Sequence, residues 1–340
     1  MNVNTKSYNS IDLMKFLMAL VVVSIHTEPF WYTTNLSLLY AVETLRNIAV
    51  PFFFIATGFL LVKKEENGAD GVIKKHMFKT LKLYLVLSLA YLPLAIYYYF
   101  TRQKGFLFSV IHYIRGLVVT GEHYNSWMLW YLLGAFYYLF VFSFFDKLKF
   151  DHKKTPVVLL IFGMVFTCLI SILQNSNEVS LSPSLLSIKN IISDTIVDDR
   201  LFRPFVYISM GMLIARAKKK LVVFTGIPAL VIGYIFTLIS YTYGIEWRYA
   251  LIVTRTVWII LGAYGLFSVS ILLSLKDNPV YGYLRSLSSF MYFSHMWIWT
   301  CLYYFIYGEK TYGMMYFVAT VGISVLIGTI IYVVKKRRRK

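Results

Sequence analysis

Apolar runs of about 20 residues recur along the chain, separated by short polar or basic stretches. A hydrocarbon core of about 30 Å needs an apolar helix of about 20 residues, so these runs predict membrane-crossing α-helices. The pattern places about ten spans, at roughly 11–28, 45–62, 80–100, 127–145, 156–173, 201–217, 221–241, 250–275, 287–307 and 314–334. A membrane β-barrel would show short alternating segments, and these runs are continuous. The expected fold class is therefore an all-α polytopic membrane protein. It is read as a single transmembrane domain over 1–340, ending in a basic tail at 335–340. No internal repeat, low-complexity segment or appended soluble domain interrupts it. The first run has no clear small-residue cleavage site and carries polar groups, which predicts a retained helix rather than a signal peptide.

Basic residues alternate between the connections. One side collects Lys63, Lys64, Lys74, Lys75, Lys79 and Lys82, then Lys147, Lys149, Lys153 and Lys154. The same side continues with Arg216, Lys218, Lys219 and Lys220, then Lys276 and Arg285, and last the tail KKRRRK. The other side has only scattered cations, such as Arg46, Arg102, Lys104, Lys189, Arg200 and Lys310. The positive-inside rule then predicts both termini in the cytoplasm of a plasma-membrane protein, as an even number of spans requires. Two long connections, 101–126 and 174–200, fall outside; the first holds GEHYNSW and the second Asp194, Asp198 and Asp199.

Composition agrees with this picture. The 340 residues are 58% hydrophobic and 18% aromatic, with a mean hydropathy of +0.63. Soluble domains are about 45–50% apolar. The net charge of +18 follows the loop bias and argues against nucleic acid as a partner. The basic tail is expected to meet anionic lipid. Cys168 and Cys301 lie inside apolar runs and read as small core residues.

Candidate chemistry begins in the first span, IDLMKFLMALVVVSIHT, where Asp12, Lys15 and His26 share one helical stripe. Lys15 and His26 are eleven residues apart, about three turns and roughly 16 Å along the axis. Ionisable groups inside a span normally face a cavity or a partner. A neutral imidazole takes a hydroxyl proton near neutral pH and can also carry an acyl group, so His26 is the leading catalytic candidate. The bland alternatives are an interfacial histidine and a snorkelling Asp12–Lys15 pair.

Further candidates are Glu122 and His123, an acid and imidazole beside the fourth span, and Trp130 and Tyr131 in SWMLWYLLGAF. Arg203 and Arg255 need a carboxylate, phosphate or carbonyl partner, and His295 lies within the ninth span. Lys79 and Lys82 belong to a basic cluster read either as topology and lipid contact or as an entry site for an anionic donor such as coenzyme A. Pro51 and Gly58 in VPFFFIATGFLL predict a broken backbone ladder and a close helix approach. No P-loop, dinucleotide fingerprint or histidine–cysteine metal spacing occurs, and no metal is expected.

Several of these strings coincide in order with a known pattern. The chain resembles the acyltransferase-3 family of integral membrane acyltransferases. The family's first-helix aspartate, arginine and histidine fall at Asp12, Lys15 and His26, with lysine where the family has arginine. Its VPxFFxxSGF string is VPFFFIATGF here, with Thr57 for serine, and its WYL string falls at Trp130, Tyr131 and Leu132. The basic entry to the third helix falls at Lys79 and Lys82, and the late S-x-x-x-Y-x-x-H string at Ser288, Tyr292 and His295. Lys15 keeps the charge of arginine but not its planar fork, and Leu133 stands where relatives often have proline.

The resemblance implies transfer of an acyl group, most often acetyl, from cytoplasmic acetyl-CoA to a hydroxyl of a surface polysaccharide or its lipid-linked precursor. His26 would be base or acyl carrier, Asp12 would orient Lys15, and Lys15 and Arg255 would contact the donor. Partners would be the acyl-CoA, the glycan, membrane lipid and a second copy of the chain. The alternative is a transporter or flippase for a small polar substrate such as serine, because the membrane part of the vancomycin-resistance serine racemases resembles the same family. A scaffold in a glycan-assembly complex is the third reading.

Overall fold

The computed structural model describes residues 8–103, 105–175, 182–196, 199–242, 248–307 and 311–338, without the side chains of 174–175, 191–196, 199, 248–254 and 307. Lys104, Asp198, Lys310, Arg339 and Lys340 lie outside the described residues, as do the side chains of Asp194 and Asp199. The helices are α1 (Asn9–Thr27), α2 (Leu36–Glu66), α3 (Val72–Thr101), α4 (Phe106–Arg115), α5 (Trp130–Lys147) and α6 (Thr155–Asn175). They continue as α7 (Pro183–Ile196), α8 (Arg203–Arg216), α9 (Lys219–Thr242), α10 (Arg248–Leu272), α11 (Pro279–Tyr307) and α12 (Met314–Arg337).

A helix overlies each of the ten expected spans. Among the described residues, eight helical segments are long and apolar enough to cross a membrane. The other two are α8, only 14 residues long, and α11, whose 29 residues include Arg285, Ser288, Ser289 and His295. Two helices occupy connections that hydropathy leaves unstructured. These are α4, in 101–126, and α7, in 174–200. α2 begins well before residue 45, because Asn35 caps it by accepting the Leu38 N–H at 3.1 Å. The added turns hold Ser37, Glu43 and Thr44, which hydropathy does not register as a span.

α2 runs through the centre, with Phe52, Phe54, Ile55 and Ala56 fully enclosed. α8 lies directly against it. A Cβ on Gly58 would sit 2.0 Å from the Ile208 carbonyl oxygen, and one on Gly211 2.0 Å from that of Ile55. Small residues let helix backbones meet where lipid offers no hydrophobic drive to pair them. α1 packs among α2, α11 and α12, while α9 pairs with α10. Outward faces stay apolar: Phe224 is 80% exposed, Leu326 62% and Ile161 58%. Such a surface suits hydrocarbon and not water.

The basic connections converge at one end of the bundle. Asn9 Nδ2 donates to Asp277 Oδ1 at 2.9 Å, Lys63 Nζ to the Ala215 carbonyl at 2.7 Å, and Glu65 meets His152 at 3.2 Å. At the opposite end the Gly313 N–H donates to the Thr27 carbonyl at 2.9 Å, and Tyr124 meets the hydroxyls of Tyr303 and Tyr304.

Candidate functional site

α1 carries its stripe from one end to the other and connects two polar chambers. At the basic end, Asp12, Lys15, Lys63, Lys64, Lys79 and Arg285 line a cavity of about 580 Å³, with His76 and Thr57. Asp12 is buried, and its carboxylate accepts from Arg285 through Nε at 2.8 Å and through NH2 at 2.5 Å. The sequence offered Lys15, one turn away, as the partner that Asp12 orients or pairs with. The guanidinium takes the carboxylate because its fork fits two oxygens. Lys15, Lys64 and Lys79 form no ion pair among the described residues. The chamber thus presents uncompensated cations, the electrostatics a polyphosphate needs. Lys82 is exposed and lies outside this lining.

At the other end His26 lines a chamber of about 280 Å³ with Glu43, Arg46, Trp130, Arg200, Arg203 and Tyr292. Its ring stacks on His295, centroids 5.3 Å apart, and lies 5.6 Å from Trp127. His295 is fully buried. Its Nδ1 lies 3.0 Å from the Met291 carbonyl, so that nitrogen carries the proton, and Nε2 is left as an acceptor with no partner. Pro51 also lines the chamber; lacking an N–H, it releases the Asn47 carbonyl from the α2 ladder.

Arg46 fixes the end of α1 beside His26. It is buried, donates to the Ser24 carbonyl at 2.6 Å and to Ser24 Oγ at 3.3 Å, and pairs with Glu28 at 2.7 Å and with Glu43. The Ser24 carbonyl also accepts the Glu28 N–H at 3.2 Å, so the guanidinium is its second donor and ties α2 to the end of α1. Burial pushes the Glu28 carboxyl up from its ordinary value, against the opposing pull of Arg46. Neither Arg46 nor Arg285 was distinguishable in the sequence from loop cations. The i,i+3 spacing of Glu43 and Arg46 was the available clue.

An aromatic layer separates the chambers. Tyr131 hydrogen-bonds Thr57 at 2.9 Å, its ring lies 4.5 Å from Phe54 and 5.5 Å from Tyr292, and Phe53 closes the group 5.2 Å from Tyr292. Strings far apart in sequence therefore meet in one column: Asp12, Lys15 and His26 on α1, Thr57 on α2, Trp130 and Tyr131 on α5, and Tyr292 and His295 on α11.

Arg255 stands apart from both chambers. It donates to Ser240 Oγ and O at 3.3 Å and stacks 4.5 Å above the Tyr241 ring, bracing α10 on α9. It does not share a cavity with Lys15. Glu122 pairs with Arg200, and His123 is buried against Tyr113 in an adjoining cavity. Another crevice, of about 590 Å³, is lined by apolar side chains such as Val118, Phe140 and Phe162 and holds no titratable group but Tyr137. Among the described residues no group of three or more His, Cys, Asp or Glu side chains is placed to hold a metal ion.

The fold and the paired chambers define a multi-pass α-helical membrane protein with polar chemistry along one inner column. Residues 8–333 match the family model described as an acyltransferase domain, and the chain belongs to the acyltransferase-3 family of membrane acyltransferases. Over 143 residues it is 29% identical to an amino-acid racemase of Enterococcus faecalis, covering 39% of this chain and 20% of that protein. Over 121 residues it is 31% identical to a serine/alanine racemase of Enterococcus gallinarum, covering 34% of this chain and 17% of that protein. The chain thus spans a fifth or less of the length of these curated relatives. No solved structure matches it.

Proposed function

We propose that the protein transfers an acetyl group from cytoplasmic acetyl-CoA to a hydroxyl of a cell-surface polysaccharide or its lipid-linked precursor. The observation that carries this reading is the pair of chambers on α1, one with lysines that form no ion pair among the described residues and one lined by His26, whose ring stacks on the buried His295. In this reading the basic end is cytoplasmic, in accord with the loop charges, and both termini lie there in the plasma membrane. Lys15, Lys64 and Lys79 receive the donor's phosphates, with Lys15 in the role the family gives to arginine. His26 accepts the proton of the acceptor hydroxyl as its oxygen attacks the thioester carbonyl. The C–S bond breaks, the proton held by His26 is returned to the departing sulfur so that the coenzyme leaves as thiol, and the acetyl oxygen ester remains. Asp12 is a positioning residue that acts through Arg285. Glu122, His123, Trp130 and Arg203 lie on the acceptor side.

The test is transfer from labelled acetyl-CoA to envelope glycans by the purified protein in nanodiscs. His26→Ala should lower the rate by at least about 100-fold, the range of general-base catalysis, without loss of fold. Unchanged transfer removes His26 from the reaction. The partial likeness to proteins named as amino-acid racemases supports a second reading, passage of serine or a similar small polar solute. Proteoliposomes that take up labelled serine with no acyl donor present would favour it.

A further inference from the structure

Beside the His26 chamber, at the same end, lies a cavity of about 580 Å³ whose Glu122 and His123 lie on the acceptor side but take no step in the reaction above. The two share a wall: Trp127 lines both, and Glu122 of one pairs with Arg200 of the other. The cavity is built and not incidental. Asn125, in a left-handed conformation, donates to Thr300 Oγ1 at 2.9 Å and to the Tyr303 hydroxyl at 2.6 Å, which pins the 121–126 loop to α11. A Cβ on Gly116 would lie 2.4 Å from His123 Nδ1, so the glycine is what lets the imidazole pack there.

Three features point to the ligand. His123 is 6% exposed and stacks on Tyr113 at 4.1 Å, yet neither ring nitrogen has a hydrogen-bond partner. A buried polar group without a partner is costly, and this one offers both a donor and an acceptor to a hydroxyl. Arg115 Nε is also buried and without a partner, and neither Arg102 nor Arg115 has a carboxylate among the described residues. Glu122, the carboxylate in the lining, is held by Arg200. Last, the wall is aromatic: Tyr98 stacks on Tyr124 at 4.3 Å, and Tyr124 bonds the Tyr304 hydroxyl at 3.1 Å.

We infer that this cavity is a binding subsite for an acidic saccharide, whose carboxylate or phosphate is taken by Arg102 and Arg115, a ring hydroxyl by His123 and a sugar face by Trp127 or Tyr304. Guanidinium forks match carboxylate and phosphate, and aromatic rings offer an apolar face with a polar edge. An anionic lipid headgroup shares the charge and the hydroxyls. No aliphatic side chain lines the cavity, however, so it has no seat for an acyl chain. The inference rests on the acyltransferase reading and names the class of its acceptor.

The test is equilibrium binding to the purified full-length chain with no acyl donor. The probes are trigalacturonate and maltotriose phosphate; their neutral controls are the galacturonate methyl ester and maltotriose. Both acids should bind at least about tenfold more tightly than their controls, and Arg102→Gln, at an exposed position, should erase most of that preference. Equal affinity for acid and control, or an unchanged preference in Arg102→Gln, overturns the inference. So does displacement of the acids by phosphatidylglycerol nanodiscs at lower concentration than by free acid, which would make the site a lipid site. Failure of the two readings is distinguishable. Acetyl transfer to neutral glycan without acid preference sinks only this inference, whereas acid binding without any transfer sinks only the acyltransferase reading.

Discussion

Asp12 and Lys15 are one turn apart on α1, but the structure gives them different work. The Asp12 carboxylate is spent on Arg285, whose own side chain is 55% exposed, while Lys15 faces the chamber. Arg285→Ala leaves a buried carboxylate unpaired. Solvent already screens the arginine, so the loss should be about 1–2 kcal/mol, below the 3–5 kcal/mol of a fully buried pair. Lys15→Ala breaks no ion pair and should change stability by less than about 1 kcal/mol while raising KM for acetyl-CoA several-fold. Thermal unfolding in detergent beside donor kinetics separates the two, and equal melting temperatures would count against the assignment. His123 gives a pH prediction. Burial, with His112 adding to it, holds its imidazole down at about 4; Arg115, Tyr113 and Glu122 are its other polar neighbours. Between about pH 6.5 and pH 4 the unfolded chain binds a proton that the folded chain refuses. Stability is therefore full above that window and falls on acidification through it, by an amount on the order of 3 kcal/mol. His123→Gln should flatten the difference in melting temperature between pH 7 and pH 5, and a curve parallel to wild type would contradict the burial argument. At this scale the sequence could place Lys15 and His26 on one stripe of α1, because helical periodicity is local, and the two line separate chambers. It could not identify Arg46 or Arg285, because the carbonyl that Arg46 caps and the carboxylate that Arg285 holds belong to other helices.

The helices were legible wherever hydrophobicity alone specifies them. All ten expected spans coincide with helices, because a hydrocarbon solvent forces each crossing segment to satisfy its own backbone. The misses have a different origin. α4 is amphipathic and leaves Phe106 85% and Leu107 70% exposed, while its His112 and Arg115 line a cavity. That is the pattern of a helix lying along an interface, and its apolar content is too short for a span. α8 is only 14 residues long but encloses most of them, because Gly58 and Gly211 bring it onto the α2 backbone. That contact predicts a sensitive pair. In Gly58→Ala or Gly211→Ala the new methyl would meet a carbonyl oxygen at 2.0 Å, and backbone cannot rotate away as a side chain would. Each substitution should cost about 1–3 kcal/mol by overpacking. The double variant should cost less than the sum, since one outward shift of α8 relieves both clashes. Melting temperatures of the three variants measure this, and strict additivity would mean that the two contacts yield independently.

At the scale of the whole molecule, a donor from one side and an acceptor from the other must meet without opening a path for water. Phe53, Phe54, Tyr131 and Tyr292 form an aromatic layer between the two chambers, and Thr57 ties that layer to the cationic side through its 2.9 Å bond to Tyr131. Tyr292 touches Phe53 and Tyr131 and also lines the His26 chamber, so its ring closes the column while its buried hydroxyl has no partner. If the layer seals the reaction, the ring matters and the hydroxyl does not. Tyr292→Phe should transfer acetyl at close to the wild-type rate. Tyr292→Ala leaves a cavity in the seal, with a stability loss of about 3–5 kcal/mol as for other large buried aromatics. It should also let water compete for the thioester. Thiol release counted against acetylated glycan gives the ratio of transfer to hydrolysis, which should drop in the alanine variant, because excluding water is what prevents hydrolysis of a reactive group. An alanine variant that folds and keeps the wild-type ratio would show that the rings only pack, and that the protection against water lies elsewhere along the column.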